Sequence, residues 1–147
     1  MNFMHNILIS FFYVGYLKYA PGTAASLLAM LIFYFIPNIL ILQSVVVIFI
    51  ALCGFILCYN HSRNCLEKDP SFIVIDEVVG MSISLFMIPK NILFYVLCFL
   101  IFRYLDIYKP LLIDKSQNVE MGIGIMLDDV LSGLITCLLA WVIISWL

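Results

Sequence analysis

Charge is the scarcest feature of this 147-residue sequence: 11% of its residues are charged, and 7 Lys and Arg against 9 Asp and Glu leave a net charge of -2. Soluble domains carry about a quarter charged residues, so this composition excludes an ordinary soluble surface. The sequence also lacks a basic patch, which disfavours nucleic-acid binding. Instead, 65% of the residues are hydrophobic, which predicts a single integral-membrane domain over residues 1–147.

The cysteine and histidine patterns of metal and redox sites are missing as well. No CxxC pair occurs, and neither histidine stands at the spacing of a zinc partner. Four of the five cysteines lie inside apolar runs; the five are Cys53, Cys58, Cys65, Cys98 and Cys137. We therefore expect small core side chains in a reducing setting. His5 is expected at the membrane interface and His61 in a solvated loop.

Five apolar runs predict transmembrane helices when their flanks are included. The runs are 24–37, 39–59, 72–88, 92–102 and 130–147. Thr23 and Ser26 can extend the first run, and residues 103–107 can extend the fourth. The predicted fold class is an all-α membrane protein with about five transmembrane helices. Apolar residues at helical spacing within positions 1–17 add a short N-terminal helix, either interfacial or re-entrant.

The turns divide the polar segments between two membrane faces. The turns at 37–38 and 89–91 are short enough only for tight helical hairpins, so they are predicted to share one face. The longer polar segments 15–26, 60–71 and 103–129 then lie on the opposite face. Six of the seven basic residues fall there, so the positive-inside rule makes that face cytoplasmic and places the carboxyl terminus outside.

Acids embedded in apolar sequence are functional candidates, because charge is destabilising where water is scarce. Asp76 and Glu77 follow four apolar residues and lie about one turn inside a predicted helix. Since neighbours on a helix point about 100° apart, one acid could bind a ligand while the other orients it. Gly80 lies on the face of Asp76 and would permit a close helix or ligand approach. The alternative is an acidic helix start that only complements the macrodipole.

A second charged group lies at the end of the fourth span. Arg103, Asp106 and Lys109 are spaced i, i+3, i+6 along one helical stripe, and Pro110 is expected to stop the helix. A stripe of basic, acidic and basic side chains suits a phosphate beside a metal. An internal ion-pair ladder with snorkelling Arg and Lys accounts for the same pattern equally well.

Two further segments precede the first and last spans. Asp128 and Asp129 follow a Gly-x-Gly sequence and are either helix-capping residues or oxygen ligands of the kind that Mg²⁺ prefers. Thr23, after Pro21 and Gly22, is a candidate N-cap at a helix start whose N–H groups form a potential anion site. Each signal is weak by itself. Both gain weight from their position on the same membrane face as the other acids.

The predicted topology therefore gathers five carboxylates and two cations at one interfacial level. They are Asp76, Glu77, Asp106, Asp128, Asp129, Arg103 and Lys109. Such a set suits a divalent metal that polarises a phosphoryl oxygen and activates water, while a cation neutralises developing charge. The alternative is a small ion- or proton-coupled membrane transporter, but a transporter should place its charges near the bilayer midplane.

Four segments of the chain resemble the phosphatidylglycerophosphatase A family, in the family's motif order. They read GYLKYAPGT from residue 15, IVIDEVVGM from 73, FRYLDIYKP from 102 and GIGIMLDD from 122. The resemblance extends from about residue 12 to the end of the chain. It departs from the family's pattern at Lys18, where a proline is usual, and at Ala25 and Met121, where glycine is frequent.

The resemblance implies a Mg²⁺-dependent, multi-pass enzyme of the bacterial inner membrane with its active site on the cytoplasmic face. Its reaction would be hydrolysis of phosphatidylglycerophosphate to phosphatidylglycerol and phosphate. The predicted site has catalytic acids Asp76, Glu77, Asp106, Asp128 and Asp129, phosphate-binding Arg103, Lys109 and Thr23, and metal ligands Glu77, Asp106, Asp128 and Asp129. Which acids hold metal and which act as base stays open, as does the oligomeric state.

Overall fold

The computed structural model describes residues 3–64, 70–109 and 123–146, which are helical with short turns and contain no strand. The helices are α1 (Phe3–Ile9), α2 (Pro21–Phe35), α3 (Leu40–Asn64), α4 (Ile75–Ser84), α5 (Ile92–Tyr108) and α6 (Ile123–Ser145), with a 3-10 turn at Val14–Tyr16. The predicted all-α class is thus confirmed. Residues named above that lie outside the described part are Cys65, Pro110, Met121 and Gly122.

Among the described residues, two helices are long and apolar enough to cross a membrane, judged by length and composition. These are the stretches Leu40–Arg63 of α3 and Met126–Ser145 of α6. The helices α2, α4 and α5 have 15, 10 and 17 residues, so the prediction of about five spans is not confirmed. At 1.5 Å per residue α4 is about 15 Å long, which is half the thickness of a hydrocarbon core.

The helix in the third predicted run is shorter than the run itself, because hydrogen bonds to other segments hold both of its ends. Before α4, the Val74 N–H donates to Ile9 O at 3.2 Å. After α4, the Met87 N–H donates to Gln43 Oε1 at 2.8 Å, with Met87 in a left-handed conformation (φ 58°). The prediction of a full-length helix over 72–88 is therefore wrong.

The two short turns lie together at one end of the bundle, as predicted. Lys90 Nζ, in the turn between α4 and α5, donates to Phe33 O near the end of α2 at 2.7 Å. Asn38 Nδ2, in the turn between α2 and α3, donates to Ile88 O at 3.0 Å. The amino-terminal ends of α2, α4 and α6 consequently lie at the other end.

The central helix is α4, and it crosses α6 at a pair of glycines. A Cβ on Gly133 would lie 2.5 Å from Gly80 O, and a Cβ on Gly80 would lie 2.7 Å from Asp129 O. Glycine at both positions lets the two backbones approach closely. Asp76 and Asp129 each lie four residues, about one turn, before one of these glycines, so the crossing also brings the two acids together. The close helix approach predicted at Gly80 is confirmed.

The N-terminal segment packs on the end of α3 and on the residues that lead into α4. Gly15 permits this contact, since a Cβ there would lie 2.0 Å from Phe72 O. The prediction that His61 lies in a solvated loop is wrong, because α3 continues to Asn64 and His61 is 4% exposed. Its ring stacks on that of His5, with 6.2 Å between centroids. The four described cysteines form no disulfide, and Cys58 and Cys98 are buried.

Candidate active site

Three carboxyl groups from two helices converge beside the crossing of α4 and α6. One carboxylate oxygen from each of Asp76, Glu77 and Asp129 lies within 4.8 Å of the other two. Asp76 and Asp129 are 8% and 3% exposed. Ionised carboxylates this close repel one another, and burial strengthens the repulsion. The group is therefore stable only with protons shared among its members or with a cation between them.

Glu77 extends from α4 towards the first turn of α2. A Cβ on Gly22 would lie 2.0 Å from Glu77 Oε1, so only glycine allows the carboxylate to approach here. The other oxygen, Glu77 Oε2, is buried and has no hydrogen-bond partner among the described residues. A buried carboxylate oxygen without a donor is destabilising unless a ligand or cation satisfies it.

Arg103 and Asp106 of α5 lie next to this acidic group. Arg103 Nη1 donates to Asp106 Oδ2 at 2.6 Å and lies 3.4 Å from Ser26 Oγ of α2. Arg103 Nε is buried without a hydrogen-bond partner among the described residues. The Asp106 carboxyl also lies beside the Asp129 carboxyl. The i, i+3 contact predicted along the α5 stripe is confirmed for this pair.

Lys109, the third member of the stripe, is paired across helices. It follows the last residue of α5 in a left-handed conformation (φ 42°, ψ 61°), and its Nζ lies 2.5 Å from Asp128 Oδ2 of α6. Burial opposes the charge on Lys109, but the carboxylates of Asp128, Asp106 and Asp129 outweigh it and raise the pKa of the ammonium. Lys109 is therefore charged at neutral pH.

The start of α2 differs from the predicted one. The helix begins at Pro21 with Ala20 in the N-cap position and no side-chain cap, so the prediction that Thr23 is the N-cap is wrong. The reason is that proline fits the first helical position, where no N–H is needed. The Ala24 N–H makes the first bond within the turn, to Ala20 O at 3.1 Å. The N–H groups of Gly22 and Thr23 come before Ala24, so they have no carbonyl partner within the helix.

The structure thus brings most of the predicted site residues to one end of the bundle, but they form separate groups of contacts. Asp76, Glu77 and Asp129 form the tight group, which Arg103 and Asp106 adjoin. Asp128, although next to Asp129 in sequence, faces Lys109 instead. Sequence reasoning missed Gly22, Ser26 and Gly133. A usable signal existed for Gly133, since its spacing from Asp129 repeats that of Gly80 from Asp76.

An apolar cavity among the helices is a separate feature. It has a volume of about 350 Å³ and lies among α1, α2, α3 and α4. Ile75, Val78 and Ser82 form its α4 wall, a helical stripe that points away from Asp76 and Glu77. The cavity therefore lies on the other side of α4 from the acidic group.

Comparison with known proteins identifies a family, and two named relatives agree with it. The family model described as Phosphatidylglycerophosphatase A matches residues 7–144. A Bacteroides thetaiotaomicron protein, provisionally named a phosphatidylinositol-3-phosphatase, is 37% identical over 142 residues, which cover 88% of this chain and 89% of the relative. Two relatives are named Phosphatidylglycerophosphatase A. The Escherichia coli K12 protein is 36% identical over 79% of this chain and 69% of its own length, and the Haemophilus influenzae protein is 33% identical over 90% and 84%. No solved structure matches the chain.

Proposed function

Because the chain belongs to the phosphatidylglycerophosphatase A family and is a phosphatase, we propose that it hydrolyses phosphatidylglycerophosphate to phosphatidylglycerol and phosphate, with Mg²⁺ as cofactor. The observation that supports the chemistry best is the group of buried Asp76, half-buried Glu77 and buried Asp129 beside the guanidinium of Arg103. Its product would enter phospholipid biosynthesis. The transporter alternative is not favoured, since the family and the named relatives are phosphatases.

The residues of the acidic group fit Mg²⁺. All donors are oxygen atoms, which Mg²⁺ prefers, and they come from two helices, so they can approach an ion from different sides. Glu77 Oε2 is a buried oxygen that lacks a hydrogen bond from the described residues. Asp76, Glu77 and Asp129 would hold the ion, with Asp106 adjoining. When bound, the ion supplies positive charge that polarises the phosphoryl group.

The phosphate group of the substrate would be bound by Arg103 and by the start of α2. Nη1 of Arg103 is oriented by Asp106 and Ser26, which leaves Nε to donate to a phosphate oxygen. The N–H groups of Gly22 and Thr23 offer further donors at a helix amino terminus. Lys109 is engaged by Asp128, so this proposal leaves it out of the phosphate contacts.

Hydrolysis also needs a carboxylate that can orient the attacking water beside the metal group. Asp106 already accepts from Arg103, and Asp76 Oδ1 accepts the Glu77 N–H at 3.1 Å. Asp129 belongs to the metal group, and its carboxyl also lies beside that of Asp106. We therefore assign to Asp129 and Asp106 the place at which carboxylates can orient an attacking water. Burial at this end of the helices excludes competing solvent.

We further propose that all of α2 to α6 lie in the bacterial inner membrane, with the acidic end of the bundle at the cytoplasmic face. Support comes from the apolar side chains that α3 exposes along its length, namely Ile41, Val45, Ile48, Phe49, Leu52 and Ile56. Exposed Tyr104 and Tyr108 at the acidic end and Trp141 and Trp146 at the other would form the two aromatic belts. The short helix α4 need not meet lipid along its length, because it is surrounded by other helices.

Phosphate release from a panel of lipid phosphates tests the proposal directly. The purified chain in detergent micelles would be given phosphatidylglycerophosphate, phosphatidylinositol 3-phosphate, phosphatidic acid or soluble glycerol 3-phosphate, with Mg²⁺ or with excess chelator. We expect phosphatidylglycerophosphate to be hydrolysed fastest and chelator to abolish release. Fastest release from phosphatidylinositol 3-phosphate would reassign the substrate, and undiminished release in chelator would remove the metal from the mechanism.

A further inference from the structure

Asp128 and Asp129 are adjacent carboxylates with different partners, and we propose that Asp128 and Lys109 act together as a positioning pair rather than as a metal ligand and a phosphate ligand. Asp129 belongs to the acidic group shared with α4. Asp128 is buried, and its Oδ2 lies 2.5 Å from Lys109 Nζ. The inference rests on the proposed function, since the group to be positioned is the proposed metal site.

The pair joins the two helix segments that carry the acids Asp106 and Asp129. Lys109 follows Asp106 by three residues, on the same stripe of α5. Asp128 precedes Asp129 directly, and its Oδ1 accepts the Asp129 N–H at 3.1 Å. An ion pair between Lys109 and Asp128 therefore holds the end of α5 against the first turns of α6. It places the Asp106 carboxyl beside that of Asp129.

The conformation of Lys109 is suited to this role. Its backbone N–H closes the last turn of α5 by donating to Leu105 O at 2.9 Å, and its φ of 42° turns the chain out of the helix. The side chain then reaches α6. A buried ion pair contributes little net stability because its charges must be desolvated, yet removal of one partner leaves the other charge uncompensated. Such a pair is better suited to setting the register of two helices than to strengthening the fold.

The contacts of Asp128 argue against a place in the metal group. Both of its carboxylate oxygens receive a hydrogen bond, one from the Lys109 ammonium and one from the Asp129 N–H. Glu77 Oε2, by contrast, receives none from the described residues. A cation bound at Asp128 would have to share the carboxylate with an ammonium group at 2.5 Å, whose positive charge repels it.

A double-mutant cycle measured by metal binding distinguishes the two readings. The whole chain in detergent would be titrated with Mn²⁺, as a spectroscopic probe for Mg²⁺, without lipid; the variants are Asp128→Asn, Lys109→Met, their combination, and Lys109→Arg. A positioning pair predicts that each single variant weakens Mn²⁺ binding by about 10-fold. The double variant should then also lose only about 10-fold in affinity, because the pair is already broken in either single variant. Independent effects would instead multiply to a loss of about 100-fold. Lys109→Arg should recover most of the affinity lost in Lys109→Met.

The sign of the Lys109→Met effect is the critical outcome. Removal of a cation near a metal site favours metal binding by Coulomb's law alone, so weaker binding has to come from lost positioning. Tighter or unchanged Mn²⁺ binding in Lys109→Met, or multiplicative losses in the double variant, would overturn the inference. If Asp128→Asn does not fold, the comparison of Lys109→Met with Lys109→Arg still decides.

The lipid assay separates this result from the proposed function. A wild-type chain that binds Mn²⁺ but releases phosphate from no lipid would refute the proposed function. The double-mutant cycle would still decide whether Asp128 and Lys109 act as a positioning pair. A wild-type chain that binds no Mn²⁺ would refute the proposed metal site and the positioning inference together. In a chain active on lipid, the two single variants should lower kcat by similar factors with little change in KM, whereas loss of a phosphate ligand in Lys109→Met would raise KM.

Discussion

The substitution Gly133→Ala tests whether the crossing of α4 and α6 assembles the acidic group. A Cβ on residue 133 would lie 2.5 Å from Gly80 O, whereas ordinary van der Waals contact begins at 3.4 Å. The two helices must then separate locally by about 0.9 Å, the difference between these distances. Asp129 lies one turn away on α6, so its carboxylate moves away from Asp76 by a similar amount.

The expected effect on activity is large for one methyl group. Metal-ligand distances hold to about 0.2 Å, and a misplacement of about 1 Å can lower a rate by about 100-fold. We expect kcat of Gly133→Ala to fall by about 10- to 100-fold and its Mg²⁺ requirement to rise. Overpacking at the crossing should destabilise the fold by about 1–3 kcal/mol. Alanine favours a helix over glycine by about 1 kcal/mol, so helix propensity cannot account for a loss.

The assay is phosphate release from phosphatidylglycerophosphate as a function of Mg²⁺, with thermal unfolding measured on the same detergent sample. Gly54→Ala is the matched control. Its Cβ would lie 2.9 Å from Met126 Cε, the end of a flexible side chain that can move aside. Wild-type kcat and Mg²⁺ requirement in Gly133→Ala would refute the reasoning, as would an equal loss in Gly54→Ala.

Three further predictions address the acids, the opposite end of the bundle and the topology. Asp129→Asn should lower kcat by at least about 100-fold at saturating Mg²⁺, since it removes a charge from the metal group. Asp114→Asn, in the polar segment between α5 and α6, should change kcat less than about 3-fold. Equal losses in the two variants would contradict the assignment of Asp129 to the metal group. Lys90→Met should lower the free energy of unfolding by about 1–3 kcal/mol, because the ammonium donates to Phe33 O and to the Tyr95 hydroxyl at 2.7 Å each. It should leave kcat of the folded protein unchanged. Lys18→Met, at an exposed position, is the control. A cysteine introduced as Asn118→Cys should resist a membrane-impermeant thiol reagent in intact cells and react after lysis; reaction in intact cells would reverse the proposed orientation.

Much of the local structure follows from the sequence because it depends on near neighbours. The turns at 37–38 and 89–91 are marked by prolines that cannot continue a helix, and both turns occur where predicted. The extension of the fourth apolar run is correct as well, since α5 continues to Tyr108. The ends of α4 were predicted less well. Its limits depend on hydrogen bonds from Val74 and Met87 to distant segments, which no local pattern reveals.

The sequence is enough to predict an apolar helical protein, and its acidic motifs mark the residues of the candidate site. It could not divide those acids among roles, because residues adjacent on a helix differ by about 100° and the direction of each depends on the helices around it. The packing of the helices is what brings Asp129 to Asp76 and Glu77 while Asp128 faces Lys109. The physical reason is the close glycine crossing of α4 and α6, which fixes how far and at what rotation the two helices approach.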